Sequence, residues 1–271
     1  MVPSYAHTTP QPQFLRGHDQ RHGAGCQIYP RIQCMNATDT KKHGRAGDML
    51  TLPESVEMHS MTASSTAPPS IDNSEDIQTS TKVVLSELPA ADFARNNWDA
   101  ILVACFSVHS LVPELSNWFD GPVTGIFEAS ILTAMALLRP GEQWGIVTTG
   151  KFWEKHLSEG VYEFLGVDAT GRSNKFAGVV TSGLTAGDFH TVSPEEVKTK
   201  LSLATKGLLE SGNISCVVMG CGGMAGLEDI IRSTAKDVYG EQRARELYIV
   251  DGVKAGIMQL HQSINGAKTF K

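Results

Sequence analysis

From Val83 onward the chain alternates short, almost uninterrupted apolar runs with longer amphipathic stretches, and this alternation restricts the fold more than any other feature of the sequence. A strand that is apolar at every position, rather than at every second one, is covered on both faces. Strands separated by helical stretches are joined by crossovers, so the pattern is that of βαβ units around a buried parallel sheet. The predicted strands are Ala100–Ala104, Val123–Phe127, Trp144–Thr148, Ala177–Thr181, Cys216–Met219 and Tyr248–Val250. The best-marked helix starts at Ser193, where Ser193-Pro194-Glu195-Glu196 supplies an N-cap, a first-turn proline and a capping-box glutamate. Val197, Leu201, Ala204 and Leu208 then share one face. Phe127-Glu128-Ala129 opens a second helix that stops near Arg139-Pro140-Gly141, and Trp153, Leu157, Val161, Phe164 and Leu165 mark a third.

The residues before this region carry no such period. Positions 1–30 are rich in chain breakers and are expected to form an extension without regular structure. Thr62 to Ser70 is a polar Ser/Thr/Pro stretch of loop length. With 41% hydrophobic and 19% charged residues, the composition fits a packed core. No apolar run approaches the roughly 18 residues of a membrane span. A formal charge of −6, with no basic stretch beyond Lys41-Lys42, argues against nucleic acid as a partner. Five cysteines without a C-x-x-C pair indicate neither a disulfide framework nor a zinc site. With no secretory leader in the first residues, a cytoplasmic location is expected and no membrane association.

Two predicted strands end in a cysteine set among small residues and followed by a helix-like segment: Ala100 to Ser107 around Cys105, and Cys216 to Gly223 around Cys221. In open α/β sheets ligands collect beyond the carboxyl ends of the strands, so both thiols are expected to face such a crevice. A following helix N-terminus favours thiolate through its dipole and free N–H groups. Small neighbours let backbone N–H groups approach a ligand and hold a developing enolate oxygen. Two thiols on opposite faces of a carbon can invert it, one removing a proton while the other returns one, with no metal or other cofactor. The competing reading is that a free cysteine packs as a small hydrophobe, which is the expectation for Cys216 inside its strand. Cys26 and Cys34, in or beside the irregular N-terminal part, carry no signal. His109 stands at Cys-His pairing distance in sequence from Cys105, but a loop or helix-surface role is preferred, as are surface or packing roles for His156 and His190. Thr148-Thr149-Gly150 follows a strand and serves either the crevice or a helix cap. The glycine clusters match neither G-x-G-x-x-G nor the P-loop.

Four blocks, Leu102 to His109, Gly125 to Ala129, Gly145 to Gly150 and Met219 to Leu227, together resemble the hydantoin racemase family of the aspartate/glutamate racemase superfamily, and its fungal branch most of all. The resemblance runs from about Leu52 to Lys254. It implies an α/β fold of two pseudo-symmetric lobes with mostly parallel sheets flanked by helices. Residues 31–124 with 246–271 are expected in the first lobe and 125–245 in the second, with Val250 to Lys254 returning to complete the first. It further implies an active site between the lobes with Cys105 and Cys221 as acid and base. Phe106, Ser107, Thr148, Thr149 and Gly222 are then expected around a small-molecule substrate, and self-association fits such a fold. The family's first strand ends in Asn-Pro-Asn, whereas Arg31 to Thr38 has a polar residue inside the strand and Ala37 for proline, which leaves Asn36 as the matching site position. Gly44 and Gly47 weaken the helix expected over 41–50, at about 1 kcal/mol each. The implied activity is cofactor-independent racemisation of a cyclic amide or amino-acid derivative such as a hydantoin or allantoin. The alternatives are a dicarboxylate isomerase or decarboxylase and a non-catalytic metabolite-binding protein. With only Lys151 as a cation near these motifs, a neutral ring is favoured over a dicarboxylate.

Overall fold

The computed structural model describes residues 31–36, 56–88, 98–167 and 174–271. The expected N-terminal extension, the helix over 41–50 and Cys26 lie outside them. Eight strands form two four-stranded sheets. In the first, β1 (Arg31–Asn36) lies between β2 (Glu57–Thr62) and β3 (Ala100–Val103), with β4 (Val123–Gly125) beyond β3. In the second, β5 (Gln143–Thr148) lies between β6 (Phe176–Thr181) and β7 (Ile214–Met219), with β8 (Tyr248–Asp251) beyond β7. Every pairing is parallel. Counted from its own first strand, each sheet therefore has the order 2-1-3-4, and the two lobes are topological copies.

The predicted strands are all present, and the central ones are buried on both faces: Ala100 to Val103 are wholly inaccessible, as are Val217 and Val218. Among the elements that escaped the sequence reading are a strand and a helix of the first lobe. Strand β2 is an edge strand with only Met58 and Met61 apolar, so it lacks the continuous run used as the signal. Helix α1 (Ser74–Glu87) carries a Thr-Ser-Thr stretch, yet Asn73 caps it by accepting from the N–H groups of Glu75 and Asp76. Strand β4 stops at Gly125, two residues earlier than expected, because α3 (Ile126–Leu137) begins there; α2 (Leu111–Ser116) precedes β4.

In the second lobe α4 (Phe152–Phe164) follows β5, and the short α5 (Asp188–Thr191) and long α6 (Pro194–Glu210) follow β6. Ser193 caps α6 as the sequence predicts, its hydroxyl accepting from Glu196 N–H at 3.2 Å, and Val197, Leu201, Ala204 and Leu208 are all buried. Helices α7 (Glu228–Tyr239) and α8 (Glu241–Glu246) lead to β8, and α9 (Gly252–Phe270) ends the chain. No helix among the described residues is long and apolar enough to cross a membrane.

The chain's return to the first lobe occurs later than the sequence implied. Tyr248 to Asp251 pair with Cys216 to Met219, so this segment is the outer strand of the second sheet. Only α9, capped by the Asp251 carboxylate accepting Lys254 N–H at 2.9 Å, goes back to lie on α3, β3 and β4. Gly256 makes that approach close: a Cβ there would stand 2.5 Å from Leu102 Cδ1. One apolar core results, running from Leu102, Phe106 and Phe127 through Trp144 and Cys216 to Val250 and Ile257. Replacing Leu102 by alanine is expected to cost about 2–5 kcal/mol, read from the urea midpoint, because it empties the seat of α9.

Candidate active site

The equivalence of the sheets places the cysteines. Cys105 follows β3 and Cys221 follows β7, the third strand of each copy, and both loops leave the carboxyl edge beside the point where strand order reverses. Asn36 and Thr148 end the first strands, β1 and β5, next to those same loops. The loops meet across the lobes: a Cβ on Gly222 would lie 3.8 Å from the Ala104 carbonyl oxygen. The charge of Cys221 is felt at Cys105, so the two thiols share one electrostatic environment.

Each thiol is shaped by its own loop. The Ser107 hydroxyl stands 3.4 Å from Cys105 Sγ, and the Gly223 N–H donates to Cys221. Both contacts favour thiolate, as does the 3-10 turn Gly222–Met224 that opens at Cys221. Burial outweighs them. Desolvation pushes the Cys105 thiol from an ordinary 9.0 up to about 12, with the Cys221 and Glu128 charges adding to the rise. Cys221 is pushed up to about 11, again by burial first, with Asp72 adding to it. The sequence-based expectation of dipole-stabilised thiolates is therefore corrected: both groups rest as neutral thiols.

The remaining predicted residues divide by role. Phe106 turns its ring into the core, edge-on to Phe127 with centroids 5.6 Å apart, and offers the site its backbone. Its N–H and that of Gly222 have no acceptor among the described residues, whereas the Ser107 N–H is turned back to the Cys105 carbonyl at 3.1 Å. Ser107 thus meets Cys105 through its hydroxyl. Thr148 donates its hydroxyl to the Gly220 carbonyl at 2.5 Å, fixing the start of the Cys221 loop, and Thr149 is buried beside it. Gly220 has no room for a side chain, since a Cβ would fall 2.7 Å from Thr148 Cβ. Asn36 closes β1 one residue beyond the Met35–Val103 pair; its side chain lies outside the described residues.

His109 is not at the surface. It is 2% exposed, its Nδ1 accepts from Leu111 N–H at 3.2 Å, and burial pushes its pKa down to about 4. That hydrogen bond puts the proton on Nε2, which has no partner among the described residues. His156 is half-buried against Phe152 on α4; the His190 side chain lies outside the described residues. Cys216 is a core residue, as expected. Two groups were missed. Glu128 sits at the third position of α3, where burial raises its carboxyl pKa while the N–H groups of Glu128 and Gly125 oppose the rise. One of its oxygens has no partner among the described residues. The signal was available, because Glu128 has the capping-box position after Gly125. Asp72 had no such signal.

Comparison with known proteins bears on the family and the fold. The sequence profile of the Asp/Glu/hydantoin racemase family matches residues 38–260. The chain belongs to that family. An uncharacterized Schizosaccharomyces pombe protein is 30% identical over 159 residues, a match that spans 59% of this chain and 60% of the relative's length. The allantoin racemase of Klebsiella pneumoniae superposes with a TM-score of 0.69 at 20% identity, over 88% of this chain and 89% of that one. The allantoin racemase of Pseudomonas fluorescens gives 0.67 at 22% identity, over 88% and 92%. At these identities the superpositions establish the fold shared with this family.

The thiol environment yields a direct expectation. A raised pKa leaves little thiolate near neutrality, so iodoacetamide should label Cys105 and Cys221 in the folded protein more than tenfold more slowly at pH 8 than in urea. The rate should keep climbing above pH 10, where an ordinary thiol has levelled off. Peptide mass spectrometry of quenched samples measures both, and labelling that levels off near pH 9 would contradict the assigned burial effect.

Proposed function

We propose that the chain is a cofactor-independent racemase of small cyclic amides of the hydantoin or allantoin type, with Cys105 and Cys221 as opposed acid and base. The observation that carries this reading is the placement of two electrostatically coupled thiols at topologically equivalent strand ends of facing lobes. For one enantiomer the Cys105 thiolate takes the proton from the stereogenic carbon, and the electron pair moves into the adjacent carbonyl as an enolate. The Cys221 thiol then returns a proton to the opposite face, leaving its own sulfur as thiolate; the other enantiomer exchanges the roles. In this reading the N–H groups of Phe106 and Gly222, which are unengaged among the described residues, hold the enolate oxygen. High thiol pKa values suit removal of a weakly acidic C–H proton, since a thiolate of higher pKa is the stronger base. The charged groups that bear on the thiols, Glu128 and Asp72, are acidic, which favours a neutral ring over a dicarboxylate.

Proton NMR in D₂O of single-enantiomer allantoin and 5-substituted hydantoins, with optical rotation in parallel, tests the reading. Enzyme-dependent loss of the C5–H signal together with rotation is expected. Cys105→Ser and Cys221→Ser should each lower racemisation by about 10²–10⁴-fold while the fold persists. Full activity in either folded variant would rule out the two-thiol mechanism.

A further inference from the structure

The loop from β2 to α1 reaches the same crevice from a side that none of the predicted site residues occupies. It leaves the carboxyl edge of the first sheet and is clamped at both ends. Near its start the Ser64 N–H donates to the Glu87 carboxylate at the far end of α1, at 3.0 Å. At its end Asp76 Oδ2 accepts from the Asp72 N–H at 3.0 Å and from Asn73 Nδ2 at 2.8 Å. Between these points Ile71 is 5% exposed and belongs to the same core cluster as Leu102 and Phe106. The backbone of Asp72 is thus fixed from three directions.

Its side chain is not. The Asp72 carboxylate is half-buried and has no hydrogen bond or ion pair among the described residues, yet its charge bears on Cys221 in the opposite lobe. Two residues earlier the Ser70 hydroxyl is enclosed, also without a partner among the described residues. Taking a carboxylate and a hydroxyl out of water without partners costs free energy, so a clamped loop that holds both at the sheet edge where the Asp72 charge reaches Cys221 is an incomplete recognition surface. The chemistry that completes it is an N–H donor. A carboxylate ligand would instead meet Asp72 and Glu128 as like charges in a poorly hydrated crevice.

We propose that Asp72 is a specificity-determining residue, accepting an N–H of the substrate with Ser70 as its neighbour, so that the site admits neutral N–H-bearing rings and rejects carboxylates. This rests on the racemase reading above and names the group of the substrate that is recognised. Asp72→Asn should lower the ratio of kcat/KM for 5-methylhydantoin over hydantoin-5-acetate by about tenfold or more, chiefly through KM. Asp72→Glu should restore part of the preference, and the urea midpoint checks that each variant is folded. A ratio unchanged in folded Asp72→Asn overturns the proposal.

A second readout needs no turnover. Iodoacetate and iodoacetamide alkylate a thiol by the same displacement of iodide, but only iodoacetate is an anion. Their rate ratio at Cys221, followed by peptide mass spectrometry, should rise several-fold in Asp72→Asn. If hydantoins are not racemised but this ratio rises, the racemase reading fails and the charge selection by Asp72 stands. If the ratio stays constant, Asp72 does not select by charge, whatever the enzyme's substrate.

Discussion

The packing of α3 against α9 is the contact on which the rest depends. Helix α3 starts where β4 of the first sheet ends and lies against β7 and β8 of the second; α9 starts where β8 ends and lies against β3 and β4 of the first. Each lobe therefore lends a helix to the other, and the two sheets are held at a separation set by side chains rather than by a linker. Gly252 and Gly256 take part because a Cβ at either would press on Ile126, Phe106 or Leu102. Since the cysteine loops spring from β3 and β7, the distance available to a substrate between them follows from this helix pair.

Burial then decides the chemistry of the crevice. Water is displaced around both thiols, and the donors that remain, Ser107 and the Gly223 N–H, recover only part of the lost solvation. With a pKa of about 11, Cys221 is ionised in on the order of one molecule in ten thousand at pH 7. Such a site trades population of the base for its strength. A substrate whose N–H groups and carbonyl oxygen replace the missing water changes that balance at the moment of binding, which couples recognition to activation. The Thr148 bond to the Gly220 carbonyl fixes the start of the Cys221 loop and engages the Thr148 hydroxyl in doing so.

The sheets and the cysteine pair were legible because their signals are local: continuous apolar runs, a cysteine after each, and glycines where backbone must come close. Strand β2 was hidden by its edge position, where Glu57 and Ser60 are exposed and only Met58 and Met61 are apolar. The return of the chain was placed too early because Tyr248 to Val250 reads as a strand without saying which sheet it joins; that depends on its pairing with β7. His109 looked like a surface residue, and its burial follows from α1, an element the polar Thr-Ser-Thr stretch disguised. Asp72 is silent in sequence because its meaning comes from Cys221, a residue in the other lobe.

The exchange of helices between lobes has a consequence for how the chain folds. Helix α9 is synthesised after both sheets, yet it covers β3 and β4 near the middle of the sequence. The first sheet therefore stays uncovered on that face until residues 252–270 have been made, exposing the apolar surface around Leu102. Contacts this distant in sequence slow folding and leave an intermediate that is prone to aggregate. A chain cut before Tyr248 would lack the outer strand of one lobe and the covering helix of the other, so a frameshift at that point would damage both halves of the enzyme at once.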